Sequence, residues 1–159
     1  MMNTPFNLHK QRGVAAIEFA LVIIPMLLMV FGITEFGRAM YQYNTLVKAT
    51  RDAARYLSTQ PAGSGLATAQ NLAVYGNKTA VGNTLAPGLT TGMVSVCDSL
   101  SCPGTHASVS TGSGSVNLVT VTIQGFQFQS AVSFTIGNVN AGLPSITFGP
   151  ISTTMRQVL

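Results

Sequence analysis

The apolar residues are concentrated near the N-terminal end of the chain. Residues 14–34 form an apolar run of 21 residues in which Glu18 is the one charged residue. A helix rises 1.5 Å per residue, so this run covers about 30 Å, the thickness of the hydrocarbon core of a bilayer. A secretory signal has a shorter apolar core and a cleavage site after it, whereas here helical sequence continues past Phe36. The pattern predicts a retained, single-pass transmembrane helix.

A helical pattern continues beyond this run. Apolar or small residues recur at spacings of four and three, which places them on one helix face; they are Ala39, Tyr43, Leu46, Thr50, Ala53 and Leu57. The helix is therefore predicted to reach about Leu57, before the breaking sequence "TQPAGSG" at 59–65. A second, short amphipathic helix is predicted from Leu66 to near Gly76.

The remaining sequence has the alternation of short strands. Apolar residues alternate with Ser, Thr or Gln in residues 93–100, 116–130, 131–137 and 150–159, between Gly, Pro and Asn. Residues 103–117 have the Gly/Ser composition of a hairpin loop. The predicted fold class is α+β, with a long N-terminal transmembrane helix that continues into a small head made of a helix and an antiparallel sheet.

Charge is scarce and unevenly placed. The chain has 8 Lys or Arg and 4 Asp or Glu, and ten of these twelve residues lie in residues 10–78. Such a composition suits an anchored or assembled protein better than a free soluble domain. The sequence has no basic stripe interleaved with aromatic residues, so we expect no nucleic-acid binding.

The two cysteines, Cys97 and Cys102, lie in a loop-like stretch. They and the two histidines, His9 and His106, do not have the spacing of a zinc site, so no metal and no cofactor is expected. If the head lies outside the cytoplasm, a disulfide is the preferred interpretation, with two free thiols as the alternative.

Candidate catalytic residues are almost absent. Asp98 stands alone in the cysteine loop, His106 lies in the Gly/Ser stretch, and the two "GSG" segments lack the context of a phosphate loop. We therefore expect neither an enzyme nor a small-molecule substrate.

Glu18 and Pro25 are the two unusual residues of the apolar run. Pro25 leaves the carbonyl of Leu21 without its helical donor and kinks or loosens the helix there. A carboxylate in the bilayer costs a few kcal/mol or more. Glu18 is either protonated or reaches the interface, or it pairs with a cation. Cleavage between Gly13 and Val14 would supply that cation as a free α-amino group on a neighbouring subunit, and such pairing sets helix register.

The stretch "GVAAIEFALVIIPMLL" resembles the N-terminus of type IV prepilin-like proteins, specifically the TadE-like pseudopilins of tight-adherence (Tad, or Flp) pili. The resemblance extends over about residues 10–80, with a basic leader, Gly, four small or apolar residues, and then Glu18 and Phe19. It implies cleavage by a prepilin peptidase after Gly13, a mature chain that starts at Val14, and a role for Glu18 and Phe19 in assembly.

On this resemblance, residues 1–13 are a cytoplasmic leader, 14–58 a transmembrane and extended helix, and 59–159 a periplasmic or extracellular head. The positive-inside bias of Lys10 and Arg12 agrees with an N-terminus in the cytoplasm. The basic residues on the other side argue weakly against it; they are Arg38, Lys48, Arg51 and Arg55. The expected location is the bacterial inner membrane, with possible incorporation into a pilus. The implied partners are the peptidase, other Tad pilins or pseudopilins, the inner-membrane assembly platform and lipid. The alternative is a permanently anchored accessory or binding protein with a periplasmic sheet domain.

Overall fold

The architecture was determined from a computed structural model that describes residues 11–131, 135–136, 139–140 and 145–158. Most of the predicted leader (residues 1–10), residues 132–134 and 137 of one predicted strand, and Leu159 lie outside the described residues. One long helix precedes a short helix and antiparallel strands, which confirms the predicted α+β class. The chain divides into two compact units between Arg38 and Ala39.

The helices end where the sequence loses its helical pattern. Helix α1 spans Gln11–Ser58, one residue beyond the predicted end, and helix α2 spans Leu66–Tyr75. Gly65 and Gly76 flank α2 in left-handed conformations (φ 75° and 70°) that glycine adopts without strain. A 3₁₀ turn covers Thr91–Met93, and a four-residue helix, α3, covers Pro103–His106.

Among the described residues, nine short strands follow α2, all of them in antiparallel pairs. They are β1 (Val94–Cys97), β2 (Val109–Ser110), β3 (Ser115–Val116), β4 (Leu118–Ile123), β5 (Gln127–Phe128), β6 (Thr135–Ile136), β7 (Val139–Asn140), β8 (Ile146–Thr147) and β9 (Ile151–Arg156). The principal sheet has the order β1-β4-β9, and the pairs β2-β3, β5-β8 and β6-β7 stand apart from it. The stretch predicted as a hairpin loop contains the β2-β3 hairpin and also α3.

The core of the second unit lies between the helices and the principal sheet. Strand β4 alternates as predicted: Val119, Val121 and Ile123 are buried, while Thr120 and Thr122 are on the other face. The core brings together residues of α1 (Leu46, Ala53, Ala54 and Leu57), of α2 (Ala69, Ala73 and Val74) and of the sheet.

The predicted inner face of α1 is largely confirmed. Ala39, Leu46, Thr50, Ala53 and Leu57 are buried. The buried Thr50 hydroxyl hydrogen-bonds that of Thr153 in β9 (3.0 Å). Tyr43 differs, being 39% exposed, because its ring meets Phe148 edge-on at 5.6 Å rather than entering the core.

Leu46→Ala should lower the free energy of unfolding by about 3 kcal/mol, because it opens a cavity at a fully buried site. The matched control, Val158→Ala, removes apolar volume from a residue that is 73% exposed and should change stability by less than about 0.5 kcal/mol. Urea unfolding of the full chain in detergent, followed by tyrosine fluorescence, measures both. Equal effects of the two substitutions would contradict this assignment of the core.

Candidate functional site

The first unit exposes an almost continuous apolar helix surface. Fourteen large apolar residues from Val14 to Phe36 are between 36% and 69% exposed. They are Val14, Ile17, Phe19, Leu21, Val22, Ile24, Met26, Leu27, Leu28, Met29, Val30, Phe31, Ile33 and Phe36. Ile23 is half-buried. Within the described residues, α1 is also the one helix long and apolar enough to cross a membrane. Exposed apolar area of this extent needs lipid or another protein to cover it.

Gly13, Val14, Glu18 and Phe19 all lie in α1 and are exposed. No atom lies within 4 Å of the position that a Cβ on Gly13 would occupy. Val14 and Glu18 are four residues apart, so the helix places them one turn apart on one face. The side chain of Glu18 has no salt bridge or hydrogen bond to any residue that the structure describes. The segment therefore presents a carboxylate on an apolar surface without a cationic partner among the described residues.

Glu35, in contrast, has a cationic partner in its own helix. Its Oε2 atom lies 3.3 Å from Nη2 of Arg38, and the Glu35 side chain is only 8% exposed. This pair could have been predicted from the sequence, because an acid and an arginine three residues apart lie on the same face of a helix. Of the two carboxylates in the first unit, Glu18 is the one that still needs a partner.

Pro25 lies inside α1, which continues as a helix on both sides of it. Proline has no N–H to donate to the carbonyl of Leu21. Pro25 lies seven residues after Glu18 in the same exposed segment. The helix can bend at this position, and the hydrogen bond to the Leu21 carbonyl is the one it lacks there.

Cys97 and Cys102 form a disulfide. It closes the loop that follows β1 and contains Asp98. The Asp98 carboxylate is buried and accepts hydrogen bonds from the N–H groups of Gly63 (2.5 Å), Leu100 (3.1 Å) and Ser101 (2.7 Å), and from the Ser101 hydroxyl (2.7 Å). Asp98 therefore joins the disulfide loop to the turn between α1 and α2.

The same loop holds the C-terminal strand against the end of α1. The Ser99 hydroxyl donates to Oε1 of Gln157 (3.2 Å), and Nε2 of Gln157 donates to the carbonyl of Gln60 (3.0 Å). The N–H of Val158 donates to the carbonyl of Ser58 (2.8 Å). Three segments far apart in sequence thus meet at one polar junction, to which the disulfide loop contributes Ser99.

Burial by itself raises the pKa of the Asp98 carboxyl, because the charged form loses hydration. The hydrogen bonds from Ser101, Gly63 and Leu100 favour the charged form and outweigh burial, so the pKa lies below its ordinary value. In the sequence Asp98 is an isolated acid, because one of its donors, the N–H of Gly63, lies 35 residues away.

His106 is part of a hydroxyl network and not of a cluster of metal ligands. Its Nδ1 lies 2.7 Å from the Thr105 hydroxyl and its Nε2 lies 2.8 Å from the Thr120 hydroxyl. No group of three or more His, Cys, Asp or Glu side chains is arranged to hold a metal ion within the described part of the chain.

Residues 13–55 match the family model of TadE-like proteins. This TadE-like region begins at Gly13 and contains Val14, Glu18, Phe19 and Pro25. It ends within α1, so α2, the sheet and the disulfide lie outside it. Comparison with curated proteins and with solved structures found no match to the chain.

Asp98→Asn should lower the free energy of unfolding by about 2 kcal/mol at pH 7, because an amide group would meet donors that now bind a carboxylate. Since the folded pKa is lowered, the stabilisation is complete above the unfolded pKa and is lost as pH falls through the folded pKa. The difference in free energy of unfolding between Asp98→Asn and the unsubstituted protein should therefore shrink as the pH is lowered from 7. Denaturant unfolding curves recorded at a series of pH values measure it.

The matched control is Asp52→Asn, which changes an exposed acid on α1 and should alter stability by less than about 0.5 kcal/mol. A constant gap between Asp98→Asn and the unsubstituted protein at every pH would show that the Asp98 charge has no such role.

Proposed function

We propose that the protein is a minor pilin or pseudopilin that takes part in assembly of a tight-adherence (Tad, or Flp) pilus. The TadE-like region supports a part in a Tad pilus system, and it coincides with the exposed apolar helix surface. The observation that carries the finer proposal is Glu18, an acid five positions after Gly13 that has no cationic partner among the described residues. The protein's part is structural, with no catalytic step, no cofactor and no small-molecule substrate.

A prepilin peptidase that cuts after Gly13 supplies the missing cation. The mature chain then starts at Val14 with a free α-amino group, one helical turn before Glu18 on the same face. A neighbouring helix displaced along its axis by about one turn, roughly 5.4 Å, brings the amine of one subunit beside the carboxylate of the other. Phe19 and the surrounding apolar residues exclude water from this pair.

The energetics favour such pairing during assembly. An unpaired carboxylate in lipid costs a few kcal/mol or more, and a partner of opposite charge offsets much of that cost. Apolar side chains alone permit many axial positions, whereas a single buried polar pair selects one register. Glu18 thus specifies where a subunit stops along its neighbours, and the apolar surface supplies the area of contact.

The proposed location is the bacterial inner membrane, as a single-pass protein with its N-terminus in the cytoplasm and its head in the periplasm. Lys10 and Arg12 precede the apolar run, as the positive-inside bias requires. The Cys97–Cys102 disulfide agrees with a head in an oxidising compartment. The proposed partners are the prepilin peptidase, other Tad pilins or pseudopilins, the inner-membrane assembly platform and lipid.

Gly13→Ala should block most removal of residues 1–13, because the added methyl group occupies the position next to the cleaved bond. Gly32→Ala is a matched control, since a Cβ at either glycine meets no atom within 4 Å and the fold accepts both. Intact mass spectrometry of the chain extracted from membranes of cells with the peptidase measures the outcome. The unsubstituted chain and Gly32→Ala should start at Val14, and Gly13→Ala should retain the leader.

Retention of the leader by the unsubstituted chain in these cells would contradict the pilin proposal. It would leave a permanently anchored accessory protein whose head binds a periplasmic partner.

A further inference from the structure

The outer face of α1 in the second unit carries a row of cations, Lys48, Arg51 and Arg55, which we name the basic row. Their spacing of three and four residues places them on one helix face, away from the buried Leu46 and Leu57. All three are exposed, and none has a salt bridge or hydrogen bond through its side chain within the described part of the chain. The row is thus available to a partner.

A groove lies beside the basic row. It has a volume of about 300 Å³ and a mixed lining of Tyr41, Thr45, Lys48, Ala49 and Asp52 of α1 together with Leu72, Gly76 and Leu85. Lys48 belongs to both features, so the groove and the row form one continuous surface. Ala49, Leu72 and Leu85 can contact a large apolar side chain, while the row takes negative charge next to it.

A second copy of the chain fits this surface poorly. The 159-residue sequence contains only four acidic residues. Glu35 is paired with Arg38, and Asp98 is buried with its oxygens hydrogen-bonded. Asp52 lies beside the row itself, and Glu18 lies in the apolar run. A second copy would therefore bring repelling cations and few carboxylates to this face.

A lipid surface also fits less well than a protein. Segments that bind anionic lipid by charge contain about four to eight Lys or Arg residues. The basic row has three. A groove that contains Ala49, Leu72 and Leu85 and is bordered by a short row of cations suits an amphipathic helix instead.

We propose that the basic row and its groove are the docking surface for an acidic amphipathic helix of a different protein. Carboxylates spaced three and four residues apart on that helix meet Lys48, Arg51 and Arg55, and an apolar side chain between them enters the groove beside Ala49. This inference holds whether the chain enters a pilus or stays anchored in the membrane.

The test uses the full chain in phosphatidylcholine nanodiscs and two capped helical peptides of about 18 residues. One contains alanine, leucine and glutamate, with the glutamates spaced three and four apart, and the other has lysine in place of every glutamate. Fluorescence anisotropy should show the glutamate peptide binding at least about tenfold more tightly, with affinity that falls as salt is raised.

Substitutions locate the binding site. Arg51→Gln should weaken binding of the glutamate peptide about threefold, and Lys48→Gln, Arg51→Gln and Arg55→Gln together about tenfold. Arg156→Gln removes one exposed arginine from β9 and should leave binding unchanged. Thr45→Trp, which fills the groove without changing charge, should also weaken it. Tyrosine fluorescence in urea checks that each variant is folded.

Three results would overturn the proposal. The first is equal binding of the two peptides, or binding that the substitutions in the basic row leave unchanged. The second is displacement of the glutamate peptide by vesicles that contain phosphatidylglycerol, which would assign the row to a membrane. The third is self-association in sedimentation that is lost when the row is neutralised, which would assign it to a second copy.

Discussion

The central constraint on this protein is the exposed apolar helix surface of the first unit, which carries the acid Glu18. Most large apolar side chains from Val14 to Phe36 are exposed, although they are the residues that water disfavours most. Glu35 shows that the chain can pair a carboxylate internally, since Arg38 stands one turn away. Glu18 has no such residue among those described. In the proposed function its partner is the α-amino group that cleavage after Gly13 would free on a neighbouring subunit.

Helix α1 has two parts with different surroundings. Its first part is apolar around much of its circumference, as expected where the surroundings are lipid or other helices. From Ala39 onward one face enters the head core while the opposite face carries Lys48, Arg51 and Arg55. The head is further held by the disulfide loop, where Asp98 and Gln157 join the end of α1 to the C-terminal strand.

Local patterns were sufficient to predict helices α1 and α2 and the principal strands. The spacing of Leu46, Thr50, Ala53 and Leu57 identified the inner face of α1, and Gly76 identified the end of α2. The alternation of apolar and polar residues in β4 predicted that Val119 and Val121 lie on one face of the strand and Thr120 on the other. These elements were predictable because each pattern is repeated within one segment and needs no knowledge of distant residues.

Contacts between distant segments were not predictable in the same way. The order β1-β4-β9 pairs strands separated by long stretches of chain, and the charge of Asp98 is held partly by Gly63 in another turn. Helix α3 was missed because Pro103 and Gly104 are typical of loops. In the candidate site, the sequence pattern predicted the roles of Gly13, Glu18 and Pro25, whereas only the structure shows that Glu35 is paired with Arg38 and that Glu18 has no partner among the described residues.

The most direct test of the central claim is the share of the protein that reaches sheared pili in Glu18 variants, compared with the share that remains in the membrane. Glu18→Ala should enter the membrane normally and appear in pili at about one tenth of the normal level or less, because the neighbouring amine loses its partner. Ile17→Ala, next to it on the exposed helix, should stay close to normal. Normal incorporation of Glu18→Ala would contradict the account.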